Sequence, residues 1–217
     1  MNSIVKRTIS ALATAALVVA AIIYAPPALI SPAFSILIFL VELEFTILFM
    51  RKASHMPFDW RYLLGMLIIF FCLAFLPLIA RIHGNLMLLY IIAIIKISDM
   101  GGFALGLSTA KLMKGGNHKM CPTISPNKSW EGLLGSVIAS VALSCAFLSL
   151  THFSPLKAIL FGVVAALVGT LGDLVESKFK RWVNVKDSST FMPAGMGGFM
   201  DMFDSLLLAP AVLFFFI

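Results

Sequence analysis

The sequence predicts an all-α, polytopic helical membrane protein, with about seven transmembrane helices and a polar cleft that faces the cytosol. Apolar residues make up 60% of the 217-residue chain and charged residues only 12%, whereas soluble domains carry about a quarter charged residues. The apolar runs are also long enough for helices, since about 20 such residues cross the hydrocarbon core. Strands of a membrane barrel would instead show short alternating segments.

Seven apolar runs predict the transmembrane spans, and Pro, Gly or charged residues mark their boundaries. The runs cover residues 8–25, 32–50, 62–80, 85–107, 131–150, 155–172 and 200–217. The first run follows Lys6 and Arg7 and could also be read as a secretory signal peptide. More spans follow it, so we expect it to be retained as the first helix of a single membrane domain.

The distribution of Lys and Arg predicts the orientation of these spans. With a cytoplasmic N-terminus, 13 of the 16 basic residues lie in cytosolic segments, Arg81 and Lys157 lie on the other side, and Lys96 lies within a span. Such an asymmetry is typical of the positive-inside pattern. The loop 108–130 and the residues 172–205, hereafter the charged segment, are therefore expected to face the cytosol.

Three aspartates in the charged segment predict a metal site. Asp173, Asp201 and Asp204 stand at or just inside the ends of apolar runs, where acids are costly unless they are paired or bind a cation. Asp201 and Asp204 are three residues apart, so on a helix they would share a face. Mg²⁺ takes oxygen ligands and completes its shell with substrate phosphates. The alternative for any one aspartate is a helix-start acid that the helix dipole favours.

Glycines and bases in the same segment indicate phosphate binding. Gly197 and Gly198 precede Asp201 and could bring backbone N–H groups to a phosphate at a helix start, although a tight connection explains them as well. The bases that follow Asp173 could neutralise phosphate charge, or each could simply anchor the chain at the cytosolic surface. These bases are Lys178, Lys180, Arg181 and Lys186.

The loop of residues 121–132 presents a second polar cluster, which consists of Ser125, Lys128, Ser129, Trp130 and Glu131. Lys128, beside a hydroxyl-rich turn, is a candidate phosphate ligand. Ser129 could instead cap the following helix, and Trp130 stands where interfacial aromatic residues are common. Both alternatives stay open from the sequence alone.

Acids also occur within the predicted spans. Asp99 could form an ion pair with Lys96 at the (i, i+3) spacing, or it could line a substrate cavity. Glu42 and Glu44 lie on different faces of the second span, and the sequence assigns neither of them a role.

The motifs SPNKSWEG and DMGGFALG, together with the charged segment, resemble the phosphatidate cytidylyltransferases, also called CDP-diglyceride synthases. The signature of that family runs S-x-x-K-R, four residues, K-D, then P-x-H-G-G-x-x-D-R-x-D. Two positions depart from it, since Met196 stands in place of His and Met202 in place of Arg. The resemblance covers residues 96–217 well, whereas residues 1–95 resemble the family mainly in being apolar. The matching residues are Ser177, Lys180, Arg181, Lys186, Asp187, Gly197, Gly198, Asp201 and Asp204.

The resemblance implies transfer of the cytidylyl group of CTP to phosphatidic acid, giving CDP-diacylglycerol and pyrophosphate, in the lipid bilayer of a bacterial inner membrane. It implies that Asp173, Asp201 and Asp204 hold Mg²⁺, with room for a second cation. These three aspartates and Lys128 would form the catalytic set. Residues 96–217 would be the catalytic part, a homodimer is suggested by the family alone, and nucleic acid is not expected. The substrate-binding residues would be Ser125, Lys128, Trp130, Glu131, Asp99, Ser177, Lys180, Arg181, Lys186, Asp187, Gly197 and Gly198.

Two other readings remain open. The chain could be a related CTP-dependent enzyme, acting on an isoprenoid ether lipid or as a lipid kinase. It could also be a transporter or a non-catalytic scaffold on the same fold, a reading that Met196 and Met202 support.

Overall fold

The computed structural model describes residues 19–52, 60–113, 116–185, 187–188 and 198–217. The helices within these residues are α1 (Pro27–Lys52), α2 (Trp60–Leu73), α3 (Phe75–His83), α4 (Asn85–Leu112), α5 (Trp130–Ala146), α6 (Leu148–Thr151), α7 (Pro155–Trp182), α8 (Phe199–Met202) and α9 (Ala209–Phe214). Two short strands, β1 (Lys119–Cys121) and β2 (Ser125–Ser129), lie between α4 and α5.

The long helices confirm the predicted class of all-α, polytopic membrane protein. In the described residues four helical stretches are long and apolar enough to cross a membrane: Ala28–Lys52, Trp60–His83, Asn85–Leu112 and Pro155–Trp182. The second of these stretches combines α2 and α3. Helix α5 is also apolar but shorter.

Two predicted segments differ most clearly from the structure, and a third lies partly outside it. The run 200–217 was predicted as one span but consists of α8, a turn region and α9. The break is explained by Asp204, whose Oδ1 accepts the backbone N–H of Ser205 at 2.6 Å, and by Pro210, which lacks an N–H donor. Helix α7 continues ten residues beyond its predicted end at residue 172. Of the run 8–25, residues 8–18 lie outside the described residues, and residues 19–24 are helical.

Glycines allow α4 and α5 to pack closely. A Cβ atom on Gly101 would collide with the side chain of Ala139 and the carbonyl of Gly135, and one on Gly102 would collide with Ser136. Small residues at such crossings let helix backbones approach closely in membrane proteins. Helix α7 packs against both α4 and α5, and polar side chains of these three helices meet near the N-terminal end of α5.

A β-hairpin covers that end, although the sequence indicated only a loop there. Its strands are antiparallel, with Lys119 opposite Ser129. Ser129 Oγ accepts the backbone N–H of Gly132 at 3.0 Å, which confirms the predicted cap of α5. Arg181 Nε donates to the carbonyl of Ile124 at 3.4 Å, so the hairpin is also attached to the end of α7.

Candidate active site

A cavity of about 260 Å³ lies between α4, the hairpin, α5 and α7. Its polar lining includes Asp99, Ser125, Lys128, Ser129, Thr170 and Asp173. The hydroxyl groups come from the hairpin and the helices, and the two carboxyl groups come from α4 and α7. Four of the residues proposed from sequence, Asp99, Ser125, Lys128 and Asp173, therefore meet at one cavity, although they are distant along the chain.

An ion pair between Lys128 and Asp173 is the most prominent polar contact of the cavity. Nζ of Lys128 contacts Oδ2 of Asp173, and the two side chains are 29% and 20% exposed. Ser177, one turn further along α7, donates its hydroxyl to Oδ1 of Asp173 at 3.4 Å. Because the pair is largely shielded from water, its charges act more strongly on a ligand than surface charges would.

Lys96 connects Asp99 with the segment after α8. Its Nζ lies 3.9 Å from Oδ2 of Asp99 and 3.6 Å from Oδ1 of Asp204. The same group donates to the hydroxyl of Ser205 at 3.0 Å and to the carbonyl of Met202 at 3.1 Å. Asp99 therefore fits both alternatives considered from sequence, since it pairs with Lys96 and also lines the cavity.

Asp201 belongs to a separate cluster with Glu176 and Lys180. Nζ of Lys180 lies 2.7 Å from Oδ1 of Asp201 and 2.6 Å from Oε2 of Glu176. Oδ2 of Asp201 accepts the backbone N–H groups of Gly198 at 2.7 Å and Ser188 at 2.9 Å. Burial raises the pKa of Asp201, but the hydrogen bonds from Lys180 and Gly198 outweigh it and hold that pKa at about 2. Asp201 is thus a carboxylate with its oxygens already engaged.

The three aspartates predicted to share a metal do not converge. Asp173 pairs with Lys128, Asp204 with Lys96 and Asp201 with Lys180. Asp201 and Asp204 do not share a helical face, because α8 ends at Met202. Within the part of the chain that the structure describes, no group of three His, Cys, Asp or Glu side chains is arranged to hold a metal ion.

Two carboxyl groups nevertheless fit Mg²⁺. The ion is usually held by one or two carboxylates together with substrate phosphates rather than by a complete protein cage. Asp99 and Asp173 line the same cavity and provide that number of ligands. Asp201 does not line this cavity, and its oxygens hold Lys180 and two backbone N–H groups.

Two candidates near the hairpin do not line the cavity. Trp130 is 57% exposed at the start of α5, as an interfacial aromatic would be. Oε1 of Glu131 accepts the backbone N–H of His118 at 3.2 Å and lies 2.6 Å from Nδ1 of its ring. Glu131 therefore holds the base of the hairpin to α5.

The remaining candidates follow the end of α7. Asp187 is exposed, and Lys186 and Gly197 lie outside the described residues. Gly198 was predicted to present its N–H to a phosphate, but the structure directs that N–H to Asp201. A Cβ atom on Gly198 would collide with both oxygens of Glu44 and with the hydroxyl of Ser188. Lack of space, rather than an unusual backbone angle, requires glycine here.

Glu44 is the polar residue of this region whose role the sequence did not reveal. It lies in α1, is completely buried, and its Oε2 accepts the backbone N–H of Met200 at 2.8 Å and the hydroxyl of Ser188 at 3.2 Å. Its position within an apolar span was a signal of function. Its partners, however, are more than 140 residues away along the chain.

The fold and the cavity define a polytopic membrane protein with a lysine- and carboxylate-lined site at one end of its helices. Residues 2–217 match the model of the Cytidylyltransferase family, and the chain belongs to that family. This result confirms the resemblance found in the sequence motifs.

Curated relatives carry a more specific name. The phosphatidate cytidylyltransferase of Staphylococcus aureus (strain COL) is 42% identical over 129 residues, which cover 58% of this chain and 47% of the relative. That of Haemophilus influenzae is 37% identical over 136 residues, covering 58% and 44%. That of Mycobacterium bovis is 41% identical over 111 residues, covering 51% and 34%. The matched part of the chain thus spans about half or less of the length of these relatives.

Proposed function

We propose that the protein transfers the cytidylyl group of CTP to phosphatidic acid, producing CDP-diacylglycerol and pyrophosphate. The observation that carries the proposal is the Lys128–Asp173 pair beside Asp99, in a cavity formed by membrane helices. Membership of the Cytidylyltransferase family and the name of the curated relatives support the same reaction.

In this reaction a phosphate oxygen of phosphatidic acid attacks the α-phosphorus of CTP. A new P–O bond forms, the bond between the α-phosphorus and the oxygen bridging to the β-phosphate breaks, and pyrophosphate leaves. Reactions of this kind depend mainly on positioning and on neutralising phosphate charge. Lys128 would bind a phosphate oxygen, and the hydroxyl groups of Ser125 and Ser129 would orient the phosphates.

Asp99 and Asp173 would hold Mg²⁺, which when bound neutralises charge on the reacting phosphates. Asp173 would then exchange its contact with Lys128 for the metal, which frees the ammonium group for substrate. Asp201, Asp204 and their lysines would keep the surrounding segments in place.

The size of the cavity limits what it can contain. At about 260 Å³ it is smaller than the roughly 300–1,000 Å³ of pockets that enclose drug-sized ligands. The reacting phosphates would occupy it, while the cytidine extends toward water. The acyl chains would lie along exposed apolar side chains such as Phe103 and Leu134, which are 72% and 56% exposed.

The concentration of bases at one end of the helices supports a cavity that faces the cytosol of a bacterial inner membrane. Arg51 and Lys52 end α1, Lys111 lies in the last turn of α4, and Lys180 and Arg181 lie in that of α7. The positive-inside pattern favours that end in the cytosol, where CTP is available. A homodimer remains a suggestion from the family.

The proposal is tested by incubating the purified protein with CTP, Mg²⁺ and phosphatidic acid and detecting CDP-diacylglycerol by mass spectrometry. We expect product that disappears with EDTA and in Asp173→Asn. Product from an isoprenoid ether lipid alone would indicate the related enzyme, and transfer of the γ-phosphate would indicate a lipid kinase. No turnover of CTP with any of these lipids, in folded protein, would refute the proposal and favour a non-catalytic role.

A further inference from the structure

Glu44 stands apart from the cavity but contacts the segment that carries Asp201. It lies in the apolar helix α1, and its side chain is completely buried. A carboxyl group at such a position is expensive and is retained where it has a specific task. Within the described residues, its Oε2 accepts hydrogen bonds from the backbone N–H of Met200 and from the hydroxyl of Ser188.

These contacts join three parts of the chain. Ser188 also accepts the backbone N–H of Asp201 on its hydroxyl at 3.3 Å and donates its own N–H to Oδ2 of Asp201. Asp201 in turn binds Lys180 of α7. A continuous chain of hydrogen bonds therefore runs from α1 through Ser188 and Asp201 to the end of α7, next to the helical turn that carries Asp173 and Ser177.

The fit around Glu44 is close. A Cβ atom on Gly198 would collide with both carboxyl oxygens of Glu44 and with the hydroxyl of Ser188, so the backbone of residue 198 lies directly against the carboxyl group. Phe45, the next residue of α1, packs against Phe179 of α7 with ring centroids 4.6 Å apart. Glu44 thus links α1 to α8 and to Ser188, and Phe45 links α1 to α7.

We propose that Glu44 is a positioning residue that holds the backbone of residues 198–202, and thereby Asp201 and Lys180, in the arrangement that cytidylyl transfer requires. Its effect on turnover rests on the proposed function. The hydrogen-bonded link between α1 and this turn does not, and it can be measured without turnover.

Hydrogen–deuterium exchange tests the link directly, because Met200 donates its own amide to Glu44. In Glu44→Ala we expect exchange in peptides covering 198–202 to accelerate by about tenfold or more, as local opening becomes easier. Exchange in the core of α4 should stay unchanged. In Glu44→Gln the amide oxygen can accept the hydrogen bonds from Met200 and Ser188, so exchange in these peptides should match the parent. Glu42→Ala is the matched control, because Glu42 lies on a different face of α1.

Turnover of CTP with phosphatidic acid, measured on the same samples, tests the positioning role. We expect Glu44→Ala to lose activity about tenfold or more, with recovery in Glu44→Gln and no loss in Glu42→Ala. Unchanged exchange in Glu44→Ala would overturn the link, and faster exchange with undiminished turnover would overturn the positioning role. Faster exchange in every helix would also overturn it, because Glu44 would then serve overall stability.

The inference about Glu44 can fail or hold independently of the proposed function, and a second variant is available for its test. If the parent does not turn over CTP, the cytidylyl transfer fails, while the exchange data still decide whether Glu44 holds residues 198–202. If Glu44→Ala does not fold, Gly198→Ala replaces it, because the added methyl group must displace the Glu44 side chain. Parental exchange and turnover in Gly198→Ala would overturn the inference.

Discussion

Replacing Lys128 by methionine removes the ammonium group from the cavity while it keeps the length of the side chain. Lys128 and Asp173 are 29% and 20% exposed, so their pair lies between an exposed pair, worth about 0.2–1 kcal/mol, and a buried one, whose disruption costs about 3–5 kcal/mol. We expect Lys128→Met to lower the free energy of unfolding by about 1–3 kcal/mol. Loss of a charge positioned for the reacting phosphates should lower kcat/KM by about 100-fold or more.

A double-mutant cycle with Asp173→Asn separates the two effects. In the double variant no charge is left without a partner, so we expect the stability loss to be smaller than the sum of the single losses. Turnover should not recover, because both groups act on the substrate. The assays are thermal unfolding in detergent and CTP-dependent product formation.

Lys178→Met is the matched control, since Lys178 is an exposed lysine on α7, the helix that carries Asp173, and it should retain activity within about threefold. If Lys128→Met kept the kcat/KM of the parent, Lys128 would not bind the reacting phosphates, and the assignment of the cavity as the reaction site would be wrong.

Three further changes test the surroundings of the cavity. Asp201→Asn should lower turnover and stability because Lys180 loses its ionised partner. Asp201 contributes fully above its unfolded pKa near 4 and loses its effect toward about 2. The stability difference should therefore shrink as the pH falls from about 4 to about 2, and a difference that stays constant over that range would contradict the assignment. Gly198→Ala should lower the melting temperature through collision with Glu44, and an unchanged melting temperature would contradict the packing. Met202→Arg should leave activity within about threefold. The Met202 side chain is 48% exposed, and it is the backbone carbonyl of Met202, not the side chain, that contacts Lys96. A large gain in activity would mean that the site lacks a cation at position 202.

Much of the fold followed from local composition. Apolar runs of helical length identified the membrane spans, and the motifs of residues 96–217 identified the family, because both signals reside in neighbouring residues. The boundaries were less certain where polar and apolar tendencies compete. Helix α7 continues to Trp182, because the charged side chains near its end can reach water. The run 200–217 divides at Asp204 and Pro210.

The candidate site was predictable in its members more than in its arrangement. Lys128, Asp173 and Ser125 stand at or beside the ends of apolar runs and meet at one cavity, as such residues should when those ends lie on the same side. Asp99, from within a predicted span, lines the same cavity. The partners of the acids were not predictable. Helical spacing favoured a shared face for Asp201 and Asp204, whereas the turn after Met202 directs them to different lysines.

Membrane insertion and family membership are properties of short stretches of sequence, since the hydrophobic cost of exposing an apolar run and the pattern of a motif are both local. The pairing of Glu44 with Met200, of Lys128 with Asp173 and of Lys180 with Asp201 depends on how distant helices pack. A buried polar group selects its partner from whatever the packing brings within about 3 Å. Only the folded chain therefore separates the acids that line the cavity from the acids that hold it together.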